Sequence, residues 1–167
     1  MGRAIGAIEG LPVLDLGRRV ADELGTSPDL ALVAVPEADY RRVEARVACQ
    51  VLDHAVAQGA VVALGSGCLG DPRIGLRLEE LRLVHDRSNQ IVALACATRV
   101  LATRNGLDAP RSVALGTVHH QFVQMLHERQ ARCRELADTI IDTSATTPEE
   151  AGEQVIRAVE AGFSHHS

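Results

Sequence analysis

Lysine is absent. All 17 basic residues of this 167-residue chain are arginine. Schiff-base chemistry, pyridoxal phosphate anchoring and the lysine of a phosphate loop therefore have no residue here to carry them. Aromatic residues are scarce as well: no tryptophan, and only Tyr40, Phe122 and Phe163. With a formal net charge of −5, that scarcity argues against a nucleic-acid partner, which needs a basic face and stacking rings. No apolar run reaches the roughly 18 residues of a membrane span, so no membrane partner is expected. Cys49, Cys68, Cys96 and Cys133 form no CxxC pair, which leaves neither a zinc knuckle nor a disulfide framework. The expectation is a reduced, cytoplasmic protein without a signal peptide. What the chain does have is a soluble globular balance, 46% hydrophobic and 23% charged. Its length suits one domain, residues 1–167.

The apolar run from Leu11 to Leu16, closed by Gly17, reads as a strand. Residues Glu37 to Gln58 read as a long helix with Tyr40, Val43, Val47 and Val51 on one stripe. Ala60 to Leu64 is a buried-strand pattern that runs into Gly65-Ser66-Gly67. Leu81 to His85 reads as a further strand, and Gln90 to Thr103 as an alanine-rich helix. Residues 105–117, with Gly106, Pro110 and Gly116, read as a loop able to act as a lid. A helix over Gln121 to Ala137 and a short strand over Ile140 to Thr143 follow. Thr147-Pro148-Glu149-Glu150 opens the last helix with a capping box, and residues 163–167 form a tail. Strands alternating with helices predict an α/β domain, a parallel sheet between helical layers.

Several of these segments together resemble the shikimate kinase family. GRAIGAIEGLPVLDLGRRV is similar to that family's first helix and second strand, G-R-x-L-A followed by F-L-D-x-D. Tyr40-Arg41-Arg42-Val43-Glu44 resembles its F-R-x-x-E, and Leu64-Gly65-Ser66-Gly67 stands where it has a triple glycine. Glu128-Arg129, Cys133 to Ala137 and Ile141-Asp142-Thr143 resemble its late E-R-x-x-x-Y-x-x-x-A and V-D-T run, and Pro110-Arg111-Ser112-Val113 falls near the lid's R-P-L-L. The departures are specific. The family's opening strand and its G-x-x-x-x-G-K-[ST] loop have no counterpart in these residues, and the second aspartate of D-x-D is Gly17. The resemblance thus implies a shikimate-kinase-like fold lacking its first strand and phosphate loop. In the family that strand lies at the centre of a five-stranded sheet, here between Ala60–Leu64 and Leu81–His85. Its loss leaves a gap that closes either by direct pairing of the flanking strands or by a strand from another chain. A homodimer or higher oligomer is expected on that ground.

The resemblance also assigns roles. Arg41 and Arg129 match the arginines that grip the substrate carboxylate, a task for which the guanidinium fork is suited. Glu44, one helical turn after Arg41, is placed to orient it. Arg111 is a third positive group carried by the loop, while Gly65, Ser66 and Gly67 bring backbone close to the ligand. Asp15, at a strand's end, matches the aspartate associated with magnesium, and Ser66 is the second catalytic candidate. Each has a plainer reading: a solvated arginine, a helix-entry aspartate, glycines that only let the chain turn. A Ser66 or Cys68 nucleophile would need His85 as its base. His119, His120 and His127 lack the carboxylates that would complete a metal site, and no metal is expected.

These residues predict a protein that binds a small cyclic carboxylic acid, without ATP or another cofactor. It either only binds that acid or transforms it as an ATP-independent lyase, isomerase or cyclase. Two alternatives stand beside this: a shikimate kinase whose phosphate loop lies outside the present residues, and a non-catalytic partner or regulatory subunit.

Overall fold

The computed structural model describes residues 2–83, 89–104 and 113–164. In chain order the elements are α1 (Gly2–Glu9), β1 (Val13–Asp15), α2 (Leu16–Glu23), α3 (Ala31–Ala34) and α4 (Glu37–Gln58). Then come β2 (Val61–Ala63), a 3-10 turn (Ser66–Gly70), α5 (Pro72–Leu83), β3 (Val92–Ala95), α6 (Thr98–Arg104), α7 (Val113–Leu136), β4 (Thr139–Asp142) and α8 (Pro148–Ser164).

Local chemistry sets most boundaries. Gly10, at φ +65°, ends α1 in a conformation that favours glycine. Asp15 closes β1 and caps α2, its Oδ1 accepting the Arg18 amide at 3.1 Å. Helix α4 follows Pro36 with Glu37 and Asp39 in its first turn, where the helix dipole favours negative charge. It buries Tyr40, Glu44, Val47, Ala48 and Val51, and stops at Gly59 with φ +70°. The capping box of α8 forms as expected: the Thr147 amide donates to Glu150 Oε2 at 2.8 Å, and the Glu150 amide donates to Thr147 Oγ1 at 3.2 Å.

Four expectations need correction. Leu81 to His85 is not a strand: α5 runs through Leu83, and residues 84–88 lie outside the described set. Pro72 at the first helical position and the buried spacing of Ile74, Leu78 and Leu81 explain this. Residues Gln90 to Thr103 are not one helix. Val92–Ala95 is β3, and α6 starts only at Thr98, because a short apolar run carries no periodicity that separates strand from helix. Helix α7 starts at Val113, so residues 113–117 are helical rather than lid, and 105–112 lie outside the described residues. The tail expected over 163–167 is shortened likewise, since α8 reaches Ser164.

Strand pairing is parallel throughout, as expected of an α/β chain. Val13 pairs with Val61 and Asp15 with Ala63, while Val92 pairs with Thr139 and Ala95 with Asp142. The pairs form two separate two-stranded sheets, β1–β2 and β3–β4. Among the described residues β2 and β3 do not pair, so direct closure of the gap does not occur. The strand flanking the gap on its far side is Val92–Ala95, not Leu81–His85. Helices hold the two pairs together. Helix α1 reaches β1 and β2, α8 reaches β4, and α1 and α8 pack on each other; α4 reaches β2, and α7 reaches β3. Leu16, Val20, Ile74, Leu136 and Cys68 are the largest fully buried side chains of the core. Leu94 on β3 and Ile140 on β4 stay 48% and 45% exposed, unusual for large apolar residues in the strands of such a sheet.

Candidate functional site

One turn into α4 stands Arg41, held from both sides. Its Nη1 donates to Glu44 Oε2 at 2.8 Å, and its Nη2 lies 3.5 Å from Glu37 Oε1. Glu44 is buried, and its partner on the next turn back gives that buried charge its compensation. Burial pulls the Arg41 pKa down, but the hydrogen bond and charge of Glu44 outweigh it and raise the pKa above the ordinary value. The guanidinium also stands 5.4 Å from the centre of the Tyr40 ring. Burial, and then the Glu44 charge, raise the Tyr40 hydroxyl above its usual pKa, so it stays protonated.

After β2 the chain leaves through Gly65 in extended conformation and turns at Ser66–Gly70. Gly67 is where two remote elements meet. A Cβ there would sit 3.0 Å from Arg41 Nη1 and 3.6 Å from Arg129 Nη2, so guanidiniums from α4 and α7 both lie against this glycine. Arg129 has no ion pair among the described residues and lines a cavity of about 240 Å³ with Ser66, Leu94, Cys133 and Thr143. Arg41 and Gly67 lie outside that lining, so the two forked donors meet at the Gly67 backbone with the cavity on the Arg129 side, an arrangement suited to a carboxylate.

Arg41, Glu44, Gly67 and Arg129 are thus brought together, with Gly65 and Ser66 beside them. Asp15 is placed elsewhere: it lines a second cavity of about 490 Å³ with Gly2, Arg3, Arg18, Arg19 and Asp22. Arg111 and His85 lie outside the described residues. Cys68 is buried, and its thiol is pushed up to about 12 by burial first and by the Glu44 charge second. A thiol so protonated is a poor nucleophile, and the expectation that the cysteines are small buried hydrophobes fits Cys68. Among the described residues no three His, Cys, Asp or Glu side chains converge as metal ligands do. Sequence reasoning missed Arg3, Arg18 and Arg19; the only sequence signals were the Gly2-Arg3 step and the GRR step directly after Asp15-Leu16.

The family model for shikimate kinase matches residues 1–160. A shikimate kinase of Thermobifida fusca (strain YX) is 28% identical over 161 residues, covering 96% of this chain and 87% of that protein. One of Streptococcus suis (strain 05ZYH33) is 25% identical over 150 residues, covering 87% of this chain and 86% of its own. The shikimate kinase of Acinetobacter baumannii, solved in complex with shikimate, superposes with a TM-score of 0.70 at 16% identity, over 96% of this chain and 85% of that one. That of Bacteroides thetaiotaomicron gives 0.69 at 16% identity, over 95% and 89%. These matches correct the expectation of no ATP: shikimate kinases use ATP and Mg2+, and nothing in the described residues shows this protein doing without them. A family model spanning nearly the whole chain, joined to a matching fold, establishes that the chain belongs to the shikimate kinase family.

Proposed function

We propose that the protein phosphorylates shikimate from ATP, and that Arg41 and Arg129 hold the substrate's carboxylate against Gly67. This replaces the ATP-free binder or lyase suggested by the residues alone. The observation that carries it is the meeting of two guanidiniums, from α4 and α7, at a glycine where a Cβ would press on Arg41 Nη1. Each fork offers two parallel donors to a carboxylate, and together they fix the ring's orientation as well as its charge. Glu44 keeps Arg41 in place before substrate arrives, so less ordering remains to be done on binding. Arg129, free of carboxylates among the described residues, is the arm that the substrate completes. One relative, from Acinetobacter baumannii, was solved with shikimate bound, which supports a small cyclic carboxylate as the ligand class.

The residues present fit only part of a nucleotide site. Asp15 stands at the carboxyl end of β1, where open α/β sheets place ligands, and could face a magnesium ion. There is no lysine and no G-x-x-x-x-G-K-[ST] in residues 1–167. These residues alone therefore do not fit ATP, and its phosphates need a strand and loop from outside them. Among the described residues β2 pairs only with β1 and β3 only with β4, which supports a strand between β2 and β3.

The test is an assay for shikimate phosphorylation, run on the chain alone and on the chain supplied with a strand-and-phosphate-loop segment. The expected result is ATP-dependent turnover in the completed protein, abolished or strongly reduced in Arg129→Ala. Shikimate that neither binds nor turns over in either form would overturn the reading.

A further inference from the structure

Where the F-R-x-x-E pattern has phenylalanine, this chain has Tyr40, a similar ring with a hydroxyl added. Tyr40 stands four residues before Glu44 on α4, so the two share a face of the helix. That face is the buried one: Tyr40 is 7% exposed and Glu44 6%. A carboxylate removed from water to this extent needs more than one partner to compensate its charge. Arg41 is the first, its Nη1 donating to Glu44 Oε2 at 2.8 Å. The Tyr40 hydroxyl, which stays protonated, gives Glu44 a second side-chain hydrogen bond. The two partners differ in what a ligand can do to them. Arg41 lies against Gly67, in reach of a ligand's carboxylate, whereas Tyr40 lines neither cavity described above. From the 3-10 turn, the buried Cys68 thiol stands near the same carboxylate as a neutral neighbour, not a competing charge.

We infer that Tyr40 is a positioning residue for the carboxylate site: its hydroxyl fixes Glu44, and Glu44 fixes Arg41 at Gly67. A ligand carboxylate draws on the Arg41 guanidinium and leaves the buried Glu44 charge short of a partner. The bond from Tyr40 persists through that exchange and limits its cost. The ring by itself, with its centre 5.4 Å from the guanidinium, steadies Arg41 but offers Glu44 no donor. Tyr40 acts on the ligand only through Glu44 and Arg41. The inference deepens the carboxylate reading, and rests on it only for the identity of the ligand.

Tyr40→Phe deletes the hydroxyl and keeps the ring. Calorimetric titration into the full chain should show shikimate bound about fivefold more weakly by this variant, the scale of one net hydrogen bond. The analogue with its carboxylate reduced to an alcohol should bind the variant as it binds wild type. Glu44→Met keeps the bulk and removes the acceptor, so adding Tyr40→Phe to it should change shikimate affinity by less than about twofold. Unaltered shikimate affinity in Tyr40→Phe, equal losses for acid and alcohol, or fully additive losses in the double variant would overturn the inference. A second readout needs no ligand. In nitrogen NMR the Arg41 Nη signals, assigned by their loss in Arg41→Ala, should be separate in wild type and merged in Tyr40→Phe and in Glu44→Met. Signals that stay separate in Tyr40→Phe would overturn the inference whatever shikimate does. If shikimate binds none of these proteins while the NMR pattern holds, the carboxylate reading fails and the role of Tyr40 stands.

Discussion

Gly67 works by what it lacks. With Arg41 Nη1 3.0 Å from the position of a Cβ, a side chain there presses on the Arg41 guanidinium and shifts it by a few tenths of an ångström. Gly67→Ala should therefore weaken shikimate binding about tenfold, one lost charge-assisted contact, with the far-ultraviolet circular dichroism unchanged. An unaltered affinity would detach Gly67 from the site. Cys68 gives a prediction in pH. Its folded-state pKa of about 12 lies above the ordinary 9.0, so the folded protein holds the thiol proton more tightly than the unfolded chain does. The stabilisation this gives is complete below pH 9 and is lost as pH rises from 9 towards 12. Thermal melts over pH 8 to 11 should fall in wild type and fall less steeply in Cys68→Ala; parallel curves would contradict it. Arg41 and Glu44 were legible in the sequence because three-residue spacing on a helix places them together without any tertiary knowledge. Arg3, Arg18 and Arg19 were not, because two helix starts meet only once β1 and β2 have paired.

Among the elements, α4 could be read to the residue, for its 22 residues repeat one apolar stripe over many turns and end at a glycine. Strand β3 could not. Four residues that are all apolar carry no alternation of polar and apolar groups, and what makes them a strand is β4, 47 positions further on at Val92–Thr139. The same limit applied to Leu81–His85, where buried contacts of Ile74, Leu78 and Leu81 decided for helix. Packing of α1 on β1 is tight enough to test. A side chain at Gly6 would run into Val13 and lie 2.8 Å from the Leu11 carbonyl oxygen. Gly6→Ala should lower stability by about 1 to 3 kcal/mol through overpacking, despite alanine's better helix propensity. A rise in the melting temperature would show that α1 does not sit so close.

For the molecule as a whole, the central fact is that among the described residues helices, not strand hydrogen bonds, join the two halves. Each backbone group left unpaired and buried along β2 and β3 costs about 1 to 3 kcal/mol, so a strand is in demand there. Hydrogen exchange of β2 and β3 amides should be fast in the chain alone and slow once a strand-and-loop segment is added. In its absence the chain should self-associate, and light scattering over a dilution series should show mass falling towards the monomer. A monomer at every concentration, with those amides already protected, would contradict this. The proposed carboxylate site spans the same two halves, since Arg41 and Gly67 belong to the β1–β2 side and Arg129 to the helix that packs on β3. The most direct test is a calorimetric titration of shikimate, and of its analogue with the carboxylate reduced to an alcohol, into wild type, Arg41→Ala and Arg129→Ala. Removing either arginine should cost shikimate roughly 1.5 to 3 kcal/mol, about 10- to 150-fold in Kd, and leave the alcohol's weak binding unchanged. Equal affinities for acid and alcohol, or variants that bind shikimate as wild type does, would contradict the account.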